Sequence, residues 1–346
     1  MIYNRSLEDD YLNFKKDTDD LIPFLLGRNA INYLIKSHGI RAILLPTYIC
    51  SMVVDIFKYY KIEVYFYENL NKQLEVPLLS ILERVKDVRT EKKLFFLWHD
   101  YLNIIGDMPD ELYNFLEKSN IEVIIDATHT LPLKNYKSKN VVYGFRKLLN
   151  QPFGSLLKVE GTQSSRANEL SFKNLWRFEI AHIIITFIYK ICRKSKSNYV
   201  NRLLKKISAY SDYLSFDKHN FFLHDSYNYS KILSRHNSLD YEQISKKRSK
   251  NFFKYSELLP SKLIVENYDI SCPLGFPLIV HDNVKSRKKL WEMGVHSFIL
   301  WENLHEDISF QKFEDSKILS HSNLILPVNQ DLSSNDIYRI INILND

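Results

Sequence analysis

Apolar and polar positions in the first half of the chain alternate between two periods. Ala30, Ile31, Leu34 and Ile35 recur at helical spacing and stop at Gly39, which predicts an amphipathic helix closed by a glycine. Ala42-Ile-Leu-Leu45 follows as an unbroken apolar run ended by Pro46, the pattern of a strand covered on both faces. The alternation continues with a helix over 52–60, a strand over 63–67, a helix over 77–88 and a strand over 93–98. A helix over 110–118 and strands over 121–125 and 139–143 complete it. Strands separated by helices in this way predict an α/β fold, a mainly parallel sheet wound by crossover connections with helices on both faces.

The rhythm breaks between about 172 and 223, a long, basic stretch of helical pattern. Lys190, Arg193, Lys194, Lys196, Arg202, Lys205 and Lys206 meet no acidic residue between 190 and 206. Such a run fits a solvated helical face linking two domains, or a patch for an anionic membrane surface or a nucleotide diphosphate. Beyond Tyr227 the pattern predicts a helix over 240–258, a strand over 276–280 and a helix over 284–293 stopped by Gly294. A strand over 324–326 and a last helix over 334–344 follow. The expected division is a large α/β domain over 1–225 that includes the basic segment, and a smaller C-terminal α/β domain over 226–346.

Composition narrows the classes. A length of 346 residues is about two domains at roughly 150 residues each. With 45% hydrophobic and 25% charged residues, a mostly disordered chain is excluded. Glycine is scarce, 8 residues in all, roughly 2% against an average near 7%, so each glycine in a loop carries weight. A net charge of +6 is too small to demand nucleic acid but suits an anionic small molecule. Cys50, Cys192 and Cys272 are odd in number and far apart. They fit neither a disulfide framework nor a zinc site and point to a reducing compartment. The N-terminus has no apolar core of a signal peptide. The most apolar run, Ile180 to Cys192, spans 13 residues and includes His182 and Lys190, short of the ~20 that a membrane span needs. The expectation is a soluble, cytoplasmic protein without membrane contact or metal.

Three features fall at strand ends or helix starts, where open parallel sheets bind ligands. Gly27-Arg28-Asn29-Ala30 opens the first helix, and free N–H groups at such an end favour a phosphate. Asp126 in Ile125-Asp126-Ala127-Thr128-His129 closes a buried strand, where a carboxylate needs a cationic partner or a capping role. Lys147, in Phe145-Arg146-Lys147, follows another strand, and alone it reads as a surface lysine. Cys50, beside a buried strand, reads as a small packing residue.

Phosphate cradle, aspartate, then a lysine 21 residues later resembles the order in fold-type I enzymes dependent on pyridoxal phosphate. Within that group the chain resembles the DegT/StrS-type sugar-nucleotide aminotransferases. Gly27-Arg28-Asn29-Ala30 is similar to their G-x-x-A helix start, and Pro46-Thr47-Tyr48-Ile49-Cys50 to their segment after the second strand. Asp126-Ala127-Thr128-His129 resembles their D-A-A-H, and Arg146-Lys147 with Pro152-Phe153-Gly154 their R-K … P-x-G segment. Arg248 with Asn251, Trp301 and Leu326-Pro327-Val328 match positions in the second domain.

The resemblance implies a pyridoxal-phosphate-dependent transferase fold with a seven-stranded sheet and pyridoxal 5′-phosphate as cofactor. Lys147 would hold the cofactor and move protons, and Asp126 would pair with its pyridine nitrogen. Gly27, Arg28, Asn29, Tyr48 and His129 would complete the cofactor site, with Tyr48 on the ring face and Tyr101 as the second candidate there. Arg146, Asn228, Tyr101 and Trp301 would face substrate. The implied reaction passes an amino group, from glutamate, to a nucleotide-linked keto sugar for surface polysaccharide, in a homodimer. Two alternatives stand beside it: a pyridoxal-phosphate enzyme acting on a smaller keto or amino compound, and a degenerate relative that only binds. Val142-Tyr143-Gly144 where the family carries a serine, and Ser155 where it carries a second glycine, are the features that favour the last.

Overall fold

A computed structural model describes residues 21–24, 26–132, 134–144, 146–149, 154–159, 240–259, 270–308 and 313–345. The basic stretch, Asn228 and the expected domain boundary at 225/226 lie outside these residues.

The first half forms one seven-stranded sheet. In chain order its elements are β1 (Leu21–Phe24), α1 (Gly27–His38), β2 (Ala42–Pro46), α2 (Ser51–Tyr59), β3 (Glu63–Tyr67) and α3 (Leu78–Asp87). They continue with β4 (Leu94–His99), α4 (Asp110–Lys118), β5 (Glu122–Ala127), β6 (Asn140–Gly144), the single turn α5 (Arg146–Leu149) and β7 (Ser155–Lys158). The spatial order is β1-β7-β6-β5-β4-β2-β3. Strands β2 to β6 pair in parallel, while β7 runs antiparallel between β6 and β1. The expected α/β architecture is present, with one antiparallel strand added.

Alternation along the strands sends side chains to two cores. Ile43, Leu45, Phe95, Leu97, Ile124 and Val142 pack under α1 and α2. Ala42, Leu44, Phe96, Trp98, Val123 and Ile125 face the other way, onto α3 and α4. Helix boundaries follow local chemistry. Gly39 sits in the left-handed region at φ 60° and its N–H bonds to the Ile35 carbonyl, ending α1. Asp110 and Glu111 occupy the first turn of α4, where the helix dipole favours acids.

The C-terminal third comprises α6 (Tyr241–Leu258), β8 (Phe276–Ile279), α7 (Asn283–Glu292), α8 (Glu314–Ser322), β9 (Asn323–Leu326) and α9 (Ser334–Asn345). β8 and β9 make a separate antiparallel pair. Asp240 and Asp282 cap α6 and α7, accepting from the Gln243 and Lys285 amides. Phe252, Phe276, Leu324 and Ile340 belong to the same apolar cluster as Trp98 and Ile125, so this unit is seated on one face of the sheet. Thr47 Oγ1 and Ser316 Oγ lie 2.7 Å apart across the join.

Candidate active site

The antiparallel return of β7 explains where Lys147 lies. The connection from β6 to β7 turns back at the carboxyl end of the parallel strands, and α5, which carries Lys147, sits on that connection. Its side chain is exposed but lines a cavity of about 120 Å³. Gly27, Arg28, Cys50, His99, Asp126, Thr128, His129, Gly144 and Trp301 line the same cavity. Each comes from the carboxyl end of a strand or the amino end of a helix, apart from Trp301.

Asp126 is buried at the end of β5. Burial alone would raise its pKa. His99, Lys147 and the Thr128 amide outweigh that and hold it down at about 2, so the carboxyl is ionised at neutral pH. His99 Nδ1 lies 3.2 Å from Asp126 Oδ2, and the Thr128 N–H donates to Oδ1 at 3.1 Å. The pairing arises from register: His99 and Asp126 are partners across β4 and β5, so their side chains share one face. His99 is the residue that sequence reasoning missed. Its only local signal is a polar residue at the end of the apolar run Leu94 to Trp98.

His129 is buried, and burial, with Lys147 and His99 nearby, depresses its pKa well below the usual value. Its Nδ1 accepts the Leu102 N–H at 3.1 Å, which leaves the ring proton on Nε2. Leu102 and Asn103, at φ 55° and 58°, make the left-handed turn that aims this N–H. Among the described residues, His129 Nε2 and Asn29 Oδ1 are buried without a hydrogen-bond partner. A buried donor left unmade is costly, and at a cavity wall it marks a place for a ligand acceptor.

The start of α1 adds a second polar wall. Its N-cap is Leu26, which has no side-chain oxygen to satisfy the first-turn amides, and Gly27 and Arg28 face the cavity. A Cβ on Gly27 would stand 2.5 Å from Thr128 Cγ2, so with Thr128 in this rotamer the helix start approaches the β5 loop closely because Gly27 has no side chain. First-turn amides, the dipole and Arg28 make this end suitable for an anion. Cys50 shares the cavity, but burial raises its thiol pKa, and a neutral thiol is a poor nucleophile.

The structure thus brings together Gly27, Arg28, Asp126, His129, Lys147 and Trp301. Tyr48 and Tyr101 stand apart from the lining. Both are fully buried, and Asn323 Nδ2 donates to both hydroxyls. Tyr48 also donates to the Leu300 carbonyl. Trp301 lies between them and the cavity. It stacks on His129 with centroids 5.8 Å apart and meets Tyr48 edge-on at 4.9 Å. The aromatic face bordering the cavity is therefore Trp301, held at φ 53°, a strained backbone for a bulky residue. Arg146 lies in α5.

A sheet with this strand order, one antiparallel strand and a two-stranded second unit superposes on solved structures over nearly its whole length. The chain has the fold of the DegT/DnrJ/EryC1/StrS aminotransferases. An aminotransferase of that group from Brucella abortus matches with TM-score 0.63 and 13% identity, covering 99% of this chain and 90% of the other. PseC of Helicobacter pylori, an aminotransferase involved in the biosynthesis of pseudoaminic acid, matches with TM-score 0.60 and 12% identity over 97% and 90%. Spr1654 of Streptococcus pneumoniae in its PLP form matches with TM-score 0.59 and 11% identity, again over 97% and 90%. No protein-family model and no curated protein matches the sequence. Among the described residues, no helix is long and apolar enough to cross a membrane.

Proposed function

We propose that the chain is a pyridoxal-phosphate-dependent aminotransferase that passes an amino group to a nucleotide-linked keto sugar. The observation that carries this reading is the convergence of Asp126, His129 and Lys147 on one cavity at the carboxyl ends of β5 and β6, beside the start of α1. The donor set fits the cofactor: an ionised carboxylate for a pyridinium N–H, a fixed imidazole Nε2–H for a phenolic oxygen, and helix-end amides with Arg28 for a phosphate. Bound there, pyridoxal phosphate supplies an electron sink for the substrate carbon that gains or loses the amino group.

The side chains then have distinct tasks. Lys147 Nζ would hold the cofactor through its aldehyde and move a proton at the substrate carbon. Ionised Asp126 would keep the cofactor's pyridine nitrogen protonated. Neutral His129 donates from Nε2 without adding a charge. Trp301 closes the cavity from the side of the C-terminal unit and excludes water. The nucleotide-sugar acceptor is supported by the net charge of +6 and by the biosynthetic role of the Helicobacter pylori neighbour. Glutamate as donor, a homodimeric assembly, a cytoplasmic setting and a place in surface polysaccharide synthesis complete the reading.

The test is spectroscopic. The purified chain mixed with pyridoxal phosphate is expected to gain a visible absorption band that glutamate converts to the spectrum of the aminated cofactor. K147A is expected to lose the band and at least 10³-fold of the turnover, in keeping with loss of a nucleophile and proton carrier. A wild-type chain that takes up no pyridoxal phosphate, or K147A with an unchanged spectrum, overturns the reading.

A further inference from the structure

We infer that His99 is a positioning residue for Asp126, fixing the orientation of the cavity carboxylate and keeping it ionised. The inference rests on the cofactor reading above and assigns a role to a residue that contacts the carboxylate rather than the substrate.

Two acceptors of one residue converge on a single imidazole nitrogen. His99 Nδ1 lies 3.2 Å from Asp126 Oδ2 and 3.1 Å from the Asp126 carbonyl oxygen. Neither acceptor can supply a proton, so the proton resides on Nδ1. The Thr128 N–H holds Oδ1 at 3.1 Å. One donor on each oxygen, from β4 on one side and the β5 loop on the other, sets the plane of the carboxyl group and leaves its other lone pairs for the cavity. His99 is itself buried, lines that cavity, and has no hydrogen-bond partner on Nε2 among the described residues.

The other titratable groups around the cavity cannot do the same work. His129 is neutral and committed through Nδ1 to Leu102. Cys50, at the start of α2, keeps its proton. Arg28, on α1, belongs to the anion-binding wall. Lys147 attracts the carboxylate across the cavity, but it hangs on an exposed side chain and is the group that engages the cofactor. Once it is engaged, His99 is the side-chain donor left on Oδ2. Without that donor, burial would drive the carboxyl toward its neutral form, which cannot hold a proton on the pyridine nitrogen.

Three variants of the full-length chain separate this role from mere packing. H99F fills the space and lacks the donor. H99N places an amide N–H near the position of Nδ1, and H99Q places it near Nε2. Titration of cofactor-free protein with pyridoxal phosphate, followed by tryptophan fluorescence, is expected to show about ten- to hundredfold weaker binding for H99F, the loss due to one hydrogen bond to a charged group. The pH at which the visible spectrum changes should move in H99F and H99Q and return toward wild type in H99N. A second readout needs no cofactor: the acid-unfolding midpoint of H99F should move to higher pH, because the folded-state pKa of Asp126 rises toward its unfolded value. If H99F does not fold, the comparison of H99N with H99Q carries the test. Wild-type affinity, spectrum and acid midpoint in H99F, or identical behaviour of H99N and H99Q, would refute the positioning role. A wild-type chain that binds no pyridoxal phosphate would instead refute the cofactor reading, and the acid midpoint would still decide whether His99 governs Asp126.

Discussion

His129 shows how burial converts an ordinary side chain into a fixed donor. The residue folds as a neutral imidazole, with a pKa well below the usual value because it is buried and faces Lys147 and His99. In the unfolded chain the same ring protonates near pH 6.5. Below that pH the unfolded state binds a proton that the native state refuses, so its contribution to stability is complete above pH 6.5 and declines as the pH falls. The expected slope is about 1.4 kcal/mol per pH unit. Urea unfolding of wild type and H129Q between pH 7 and pH 5 should show that slope in their difference. Equal pH dependence would mean that the ring is not held neutral. Asp126, Lys147 and His129 were named from the sequence because their order after Gly27-Arg28-Asn29-Ala30 resembles that of a known family, and none of the three stands out alone. His99 was not, because its meaning lies in the register between β4 and β5, which no single segment contains. The expectation that Tyr48 covers a ligand ring did not anticipate Trp301, whose position depends on a loop more than 250 residues further along.

At the scale of elements, the loop after β5 and the end of β6 are held together by the absence of one side chain. A Cβ on Gly144 would stand 2.6 Å from the Thr128 carbonyl oxygen and 2.9 Å from Thr128 Cα. Both are backbone atoms, so neither can rotate away. G144A is expected to destabilise the protein by about 1–3 kcal/mol through overpacking and to displace the loop carrying Thr128 and His129. G39A, at φ +60° with nothing within 4 Å of the new Cβ, should cost about 1 kcal/mol through backbone strain alone and leave cofactor binding intact. Urea denaturation and a cofactor titration on both variants distinguish the two effects. The longer elements were legible for a plain reason: β2, β4, β5 and β6 are runs buried on both faces. Strands β1 and β7 were not, since each is only four residues long and neither is set off by a helical pattern on both sides. Pro23 also argues against a central strand, and β1 is in fact at the sheet edge. Helix α8, with serines and charges mixed among its few apolar residues, gave no clear amphipathic face.

For the whole molecule, the seating of the C-terminal unit depends on polar contacts as well as on apolar area. Asn323, at the start of β9, donates to the hydroxyls of Tyr48 and Tyr101 from the sheet. Both phenols are fully buried, and burial raises their pKa, so they remain neutral donors and acceptors. Removing the amide takes a donor from both buried hydroxyls and leaves Tyr48 its bond to the Leu300 carbonyl. N323A is expected to lose about 1–3 kcal/mol, read as a lower urea midpoint. An unchanged slope of the transition would show that the sheet and the C-terminal unit still unfold together. A midpoint equal to wild type would mean that the contact does not contribute. The expected boundary at 225/226 lies outside the described residues, while the separate antiparallel pair of β8 and β9 was legible as the strands over 276–280 and 324–326. The continuity of one apolar cluster from the sheet into the C-terminal unit was not, because it is made by pairs of residues distant in sequence.

The cavity wall runs from Leu26 to Trp301, and this has a consequence for how the protein is made. On the ribosome, the sheet strands emerge early, but the carboxylate, the imidazoles and the lysine stay open on one side until the loop bearing Trp301 has been translated. A ligand is therefore enclosed on the Trp301 side only once residue 301 has been made, and a chain released before that loop would lack this wall over its polar residues.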